Sequence, residues 1–172
     1  GPLNVSGTVL VQSGSLASDG NLTLASDATQ TALIDGSGNG QVTGNVTMQR
    51  HLTSGYGYRY FSSPFVAATV GEFGDDMDLA YLFPLIYRFD ENSIYSGWID
   101  YVNSSDLLNP LEGYAVNFGD IADPKTVDIT GVVSNGNQNI TLYNHDNEYT
   151  EGFNLIGNPY PSPIDWDGPG WT

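Results

Sequence analysis

Short apolar stretches alternate with Gly, Ser, Asn and Asp along the first part of the chain, before Arg50. Several of these stretches have the composition of short β-strands followed by turns: 8–11, 21–24, 31–34, 41–43 and 45–48. Their near-regular spacing, with glycines between them, predicts the coils of a β-solenoid or the strands of a β-meander. Such coils bury their apolar side chains only against neighbours, so we expect this segment to pack on the rest of the chain.

Aromatic residues become frequent after Arg50, and they follow the two-residue period of β-strands. The alternation is clear at 56–60 and at 114–118. Further strands are predicted at 125–133, 139–143 and 153–157. No helical period is sustained, and only 70–82 has the pattern of a helical turn. The chain is therefore predicted to be all-β, a jelly-roll-like β-sandwich with N-terminal solenoid-like or meander strands.

The length of 172 residues suits one domain with a shared core. We interpret residues 3–50 as the solenoid-like lead-in and residues 51–172 as the aromatic-rich sandwich. Gly1 and Pro2 are typical of the remnant that a protease leaves when an affinity tag is removed, so they carry no weight in the fold prediction.

The charge and composition of the chain disfavour several classes of partner. Twenty acidic residues face four basic ones, which gives a formal net charge of −16, and Lys125 is the only lysine. Nucleic acids and anionic membranes are bound by clustered Lys and Arg, so we expect neither as a partner. No apolar run has the length of a membrane span, which argues against direct membrane insertion. The absence of cysteine excludes disulfides and thiolate metal sites.

A proline-rich segment near the C-terminus is the most distinctive motif. Residues 152–166 combine an apolar start with prolines at alternate positions and a closing tryptophan. Proline fixes φ and has no N–H, so Pro159, Pro161 and Pro163 cannot join the interior of a ladder. We expect this stretch to run extended along a surface or a sheet edge, pinned there by Tyr160 and Trp166.

Together with residues 13–24, 43–50 and 58–64, this motif resembles segments of large secreted and cell-surface proteins of the Bacteroidota, the kind that carry a type IX secretion sorting domain. The resemblance implies an extracellular or cell-surface location, and it implies other domains of the same parent protein as partners. It also implies further strands after the motif, so the domain is expected to be truncated at Thr172.

An acidic, glycine-containing loop at 71–78 is a candidate metal site. Carboxylates at close spacing are the oxygen ligands that Ca²⁺ takes, although the spacing is not that of an EF-hand. The predicted Ca²⁺ ligands are Asp75, Asp76 and Asp78. A second patch, at Asp90 and Glu91, could supply further oxygens. The alternative interpretation is a solvated acidic loop without metal.

Aromatic residues with neighbouring polar groups are candidates for carbohydrate binding, because sugar rings stack on aromatic faces while Asp and Asn bond their hydroxyls. The predicted ligand-binding residues are Trp98, Asp100 and Tyr101. Trp166 and Trp171 could extend the same platform. The alternative is that the aromatic side chains fill the core of the sandwich.

Catalysis has little support in the sequence. His51 and His145 have no nucleophile signature and no metal-ligand partner at a suitable spacing. We therefore expect a non-catalytic structural or adhesion module that binds a polysaccharide or a cell-surface glycan. The alternatives are a carbohydrate-binding module of a secreted polysaccharide-degrading enzyme, and a glycoside hydrolase fragment that uses two carboxylates.

Overall fold

The computed structural model describes residues 1–119 and 122–168. The strands are β1 (Leu3–Val5), β2 (Thr8–Leu10), β3 (Ser15–Ala17), β4 (Leu22–Leu24), β5 (Leu33–Asp35), β6 (Gln41–Thr43), β7 (Asn45–Leu52), β8 (Arg59–Phe61), β9 (Phe65–Val66), β10 (Ile86–Phe89), β11 (Trp98–Asp100), β12 (Tyr114–Val116) and β13 (Lys125–Val133). The one helical element of the described residues is a 3₁₀ turn at Val70–Phe73, inside the stretch predicted to hold a helical turn. The all-β prediction is confirmed.

The first six strands form two coils of a parallel β-solenoid. β1 pairs in parallel with β4, β2 with β5, and β3 with β6. β4 pairs in parallel with β7, so β7 begins a third coil. Sequential strands of a meander would pair antiparallel with one another, whereas here each strand pairs with its counterpart one coil later. The solenoid is therefore the correct one of the two predicted arrangements.

The parallel stack ends where β7 meets β13. These two long strands pair antiparallel, and β9 extends the sheet beyond β13, which gives a mixed sheet of order β1-β4-β7-β13-β9. A second sheet is wholly antiparallel, with the order β11-β10-β12-β8. The coils and both sheets contribute to one buried cluster, which includes Leu24, Val46, Val116 and Val127. β7 itself crosses residue 50, so the solenoid and the aromatic-rich part share a strand as well as a core.

The strands predicted at 139–143 and 153–157 are absent, and these two predictions were wrong. The side chain of Asn154 accepts a hydrogen bond from the Tyr143 N–H at 3.1 Å and donates one to the Tyr143 carbonyl at 2.8 Å. A side-chain amide thus satisfies backbone groups that a neighbouring strand would otherwise pair. In the second stretch only Ile156 forms a bridge, to Glu112.

The proline segment, which we define as Pro159–Pro163, meets a sheet edge as predicted, but it bends at residues 160–162 instead of running extended. The carbonyl of Pro161 accepts a hydrogen bond from the N–H of Ile34 in β5 at 2.9 Å. The Tyr160 hydroxyl donates to the carbonyl of Gly136, just beyond β13, at 2.7 Å. The segment therefore ties the solenoid to the chain that follows the mixed sheet.

Candidate functional site

The antiparallel sheet of β8, β10, β11 and β12 has two faces of different character. Residues directly opposite one another in such a sheet point to the same face. One row across the sheet consists of Tyr60, Ala115, Tyr87 and Asp100. Trp98 and Phe89 form the next pair on this face, which we call the outer face. The alternate residues, among them Tyr114 and Val116, point to the buried cluster and define the inner face.

Five rings on the outer face form what we call the aromatic patch, in two contacting groups: Tyr58 with Tyr87, and Tyr60, Trp98 and Phe89. The rings of Tyr60 and Trp98 are nearly parallel, at 7°, with centroids 6.4 Å apart. Phe89 meets the edge of Trp98 at 5.2 Å, and Tyr58 meets Tyr87 edge to face at 5.7 Å. Because each ring contacts another, the patch holds its shape without a ligand.

The close packing of Trp98 on Phe89 depends on the turn between β10 and β11. Gly97 has a φ of 82°, a conformation that favours glycine. A Cβ at this position would lie 2.5 Å from the Phe89 ring. The absence of a side chain at Gly97 thus lets the two strands close with their aromatic rings in contact.

A shallow recess of about 580 Å³ opens within the aromatic patch. It is lined by Tyr58, Tyr60, Tyr87, Trp98 and Ala115. Ala115 is the only small residue in the row between Tyr60 and Tyr87, so its methyl group leaves the space that the rings surround. Tyr60 is 71% exposed and Trp98 is 37% exposed, which leaves ring faces available to a ligand.

Polar groups border the patch. The Tyr58 hydroxyl donates to the carbonyl of Pro84 at 2.8 Å, which fixes this ring. Desolvation raises the pKa of the Tyr58 phenol, and the neighbouring Tyr87 and Asp100 add to the rise. Asp100 is exposed beside Tyr87 and is available to accept hydrogen bonds from a ligand.

The predicted ligand-binding set is divided between the two faces. Trp98 and Asp100 lie together on the outer face. Tyr101 belongs instead to the inner side, where it stacks on Tyr114 at 5.5 Å and its hydroxyl donates to the carbonyl of Leu107 at 2.7 Å. Tyr101 is therefore a packing residue, and the alternative interpretation of core aromatics applies to it.

The three aspartates predicted to bind Ca²⁺ do not converge. The Asp76 carboxylate turns towards β13, where it accepts the N–H of Asp128 at 2.9 Å, and desolvation raises its pKa to about 6. The Asp78 carboxylate accepts the N–H of Ala80 at 3.0 Å, and Asp75 is exposed. Within residues 1–119 and 122–168, no three acidic or histidine side chains are arranged to hold a metal ion. Ca²⁺ binding remains a prediction that calorimetry can test.

The second acidic patch is engaged by other protein groups. Asp90 pairs with Arg88 at 3.3 Å. The buried Glu91 carboxylate accepts the backbone N–H of His145 at 2.9 Å and contacts its ring Nδ1. These hydrogen bonds from His145 lower the pKa of Glu91. The pair anchors the segment around His145 to the turn that follows β10.

The sequence of this chain matches a known protein family. A family model described as a domain of unknown function, DUF8693, matches residues 3–168. The chain belongs to this family. Searches of curated proteins and of solved structures found no match. The description of the DUF8693 family names no activity, so the function has to be argued from the geometry. Among the described residues of this DUF8693 chain, no helix is long and apolar enough to cross a membrane.

The sequence alone did not identify most of the aromatic patch of this DUF8693 domain. The alternation at 56–60 predicts from the sequence that Tyr58 and Tyr60 lie on one face. Their position near Trp98 depends on pairing through β12 and β10, which no local pattern reports. Trp166, also considered for the platform, does not line the recess, and Trp171 lies outside the described residues.

Proposed function

We propose that this DUF8693 domain is a non-catalytic, extracellular structural or adhesion module that binds a polysaccharide or cell-surface glycan on its outer face. The observation that carries the proposal is the exposed, nearly parallel pair of Tyr60 and Trp98 beside a recess of about 580 Å³. Ring faces of this kind stack on the C–H faces of sugars, and Asp100 supplies an acceptor for hydroxyl groups.

The size and stiffness of the recess support a small, ring-shaped ligand. Its volume lies within the range of small-molecule sites, roughly 300–1,000 Å³. The rings are fixed by contacts with one another and by the sheet, so little conformational entropy is lost when a ligand binds. Exposed apolar patches on a soluble protein also mark interaction sites.

The extracellular assignment is supported by the resemblance of the proline motif to segments of secreted Bacteroidota proteins. The net charge of −16 separately disfavours nucleic acids as partners. Asn, Thr and Tyr provide passive hydrogen-bonding and stacking groups, as adhesion and display require.

The same binding site would serve a carbohydrate-binding module attached to a polysaccharide-degrading enzyme. A glycoside hydrolase is the less favoured alternative, because it requires two carboxylates free to act on the bond. In one cavity, bordered by His145, the carboxylates have protein partners: Asp90 pairs with Arg88, Glu91 binds His145, and Glu112 accepts the Tyr114 hydroxyl at 2.7 Å. Release of reducing sugar by the purified domain, abolished by one carboxylate-to-amide change, would favour the hydrolase instead.

The proposal is tested by a glycan array with and without Ca²⁺, followed by titration calorimetry of the strongest ligand. Tyr60→Ala and Trp98→Ala should each weaken binding about tenfold or more. Tyr60→Phe keeps the ring and should bind nearly as well. Tyr149→Ala removes another exposed tyrosine, one outside the recess, and is the matched control. Binding that survives both recess substitutions would contradict the proposal.

A further inference from the structure

The first coil of the solenoid has an uncovered end. Among residues 1–119 and 122–168, β1 is the edge strand of the mixed sheet, and β2 and β3 each pair only with their counterpart in the second coil. The N–H of Leu3 donates to Asn21 of the second coil, so the next N–H along the strand, that of Asn4, faces the open side. All three strands thus present unpaired backbone groups in the same direction.

The inward-facing side chains at this end are exposed as well. In one column of stacked residues, exposure is 52% at Leu3, 3% at Leu22 and 0% at Val46. In another column it is 37% at Leu16 and 1% at Val42. The side chains have equivalent places in successive coils, so the difference arises because none of the described residues covers the first coil.

The opposite end of the second coil is covered on all three sides. β4 pairs with β7, and the N–H of Ile34 in β5 donates to Pro161 in the proline segment. On the third side, the amide of Asn135 donates to the carbonyl of Val42 in β6 at 2.9 Å. Proline has no N–H to offer a further strand, so the segment ends the stack at β5.

We propose that the open end docks one further coil of a parallel β-solenoid, so that this domain forms the closed end of a longer solenoid. The strands of the incoming coil pair in parallel with β1, β2 and β3. Its apolar inward side chains cover Leu3 and Leu16, as the first coil covers Leu22 and Val42. This role is independent of glycan binding on the outer face.

A further coil is the occupant that would pair with all three exposed strand edges at once. The three strand edges lie on three sides of the stack and continue the same parallel pairing that joins the first coil to the second. A single added strand would satisfy only one of them. Two copies of this chain related by a two-fold axis would place their edge strands antiparallel, and each copy carries a net charge of −16 that opposes close approach.

The test is an extended variant in which residues 3–21 are repeated immediately before Leu3. This repeat reproduces the spacing by which Leu3 lies beside Leu22. The control carries the same extension with Ser at the copied positions of Leu3, Val5 and Leu16. Docking predicts a higher thermal midpoint than either the original chain or the control, and slowed hydrogen exchange at the Asn4 amide of the original coil.

A second experiment measures whether the added coil buries the side chain at position 3. Leu3→Asp at the original position should change the unfolding equilibrium little in the unextended chain, where the side chain is half exposed. In the extended variant the same change should lower the ratio of folded to unfolded protein at least about tenfold further, because the position becomes buried. An unchanged midpoint, or equal costs in both backgrounds, would overturn the proposal. Self-association of the unextended chain in sedimentation, abolished by Leu3→Asp, would overturn it in favour of a second copy as occupant.

Discussion

The inner and outer faces of the antiparallel sheet carry similar side chains and have opposite environments. On the inner face, Tyr114 is buried and its hydroxyl is held by Glu112 and by the N–H of Asn109. On the outer face, Tyr60 lies one strand away and is mostly exposed, with its ring parallel to that of Trp98. An aromatic side chain of this sheet thus packs in the core or lies in the exposed aromatic patch according to its parity along the strand.

Composition alone therefore does not predict whether an aromatic residue lies in the core or on the surface. Phe61, Phe73 and Phe118 pack edge to face in the core with centroids 5.0 to 6.3 Å apart. The rings of the aromatic patch pack in comparable geometries at the surface. What separates them is the structure on either side of the sheet, because only the inner face is covered by β7, β13 and the coils.

The largest expected effect follows from removing the buried ring. Tyr114→Ala should destabilise the fold by about 3–5 kcal/mol, because it leaves a cavity and removes the partner of Glu112. Tyr60→Ala should change stability by no more than about 0.5 kcal/mol. Urea unfolding of the two variants measures the contrast. Equal losses would show that the two faces do not differ as described.

A paired change at neighbouring positions sharpens the comparison. Ala115→Leu adds bulk on the outer face, fills the recess and should weaken ligand binding about tenfold at nearly unchanged stability. Val116→Leu adds bulk to the adjacent residue on the inner face, where overpacking should cost about 1–3 kcal/mol without direct loss of affinity. Calorimetry and urea unfolding of both variants test this. The opposite assignment of the two effects would refute the face assignment.

A pH effect is expected at one end of the outer face, where Phe153 packs on Phe89 at 5.2 Å. Glu91 anchors the segment leading to Phe153, and its hydrogen bonds from His145 lower its pKa from 4.5. The stabilisation is therefore complete above about pH 4.5 and is lost as the pH falls below it. Thermal midpoints measured from pH 3 to 7 should show this loss, and Glu91→Gln should flatten it. An equal loss in the variant would assign the effect to other groups.

The smallest effect is expected at Asp76, which belongs to neither face. Burial raises its pKa from 3.8 to about 6, so the folded state is favoured less once the pH rises through that range and the carboxylate is charged. Asp76→Asn should therefore raise the thermal midpoint slightly at pH 7 and not at pH 4. If Asp75, Asp76 and Asp78 bind Ca²⁺, added calcium should raise the midpoint of the original chain and not that of the variant.

Local patterns predicted much of the fold. Gln41–Thr43 and Lys125–Val133 are strands with the predicted bounds, and the spacing of the first strands left a solenoid and a meander open. The strand predicted at 139–143 is absent, and the side chain of Asn154, 11 residues further along the chain, satisfies the backbone of Tyr143. Such a contact has no local signature.

The candidate site was predictable only in part, because the parity of a residue along its strand is a local property and the order of strands in the sheet is not. Trp98 and Asp100 share parity and share a face, whereas Tyr101 has the opposite parity and packs on Tyr114 at the inner side. Parity could have separated them in advance. The meeting of Tyr60 with Trp98 could not be predicted, because it depends on the order of four strands drawn from distant parts of the chain.

The most direct test of the account is a nuclear magnetic resonance titration with neutral oligosaccharides, for which cellohexaose, xylohexaose and mannohexaose are suitable probes beside any ligand found on the array. Resonances of Tyr60, Tyr87 and Trp98 are expected to shift with ligand concentration, while those of Tyr101 and Tyr114 on the inner side stay in place. Shifts confined to another surface, or no shifts with any glycan tested, would contradict the central claim that the outer face is the binding surface.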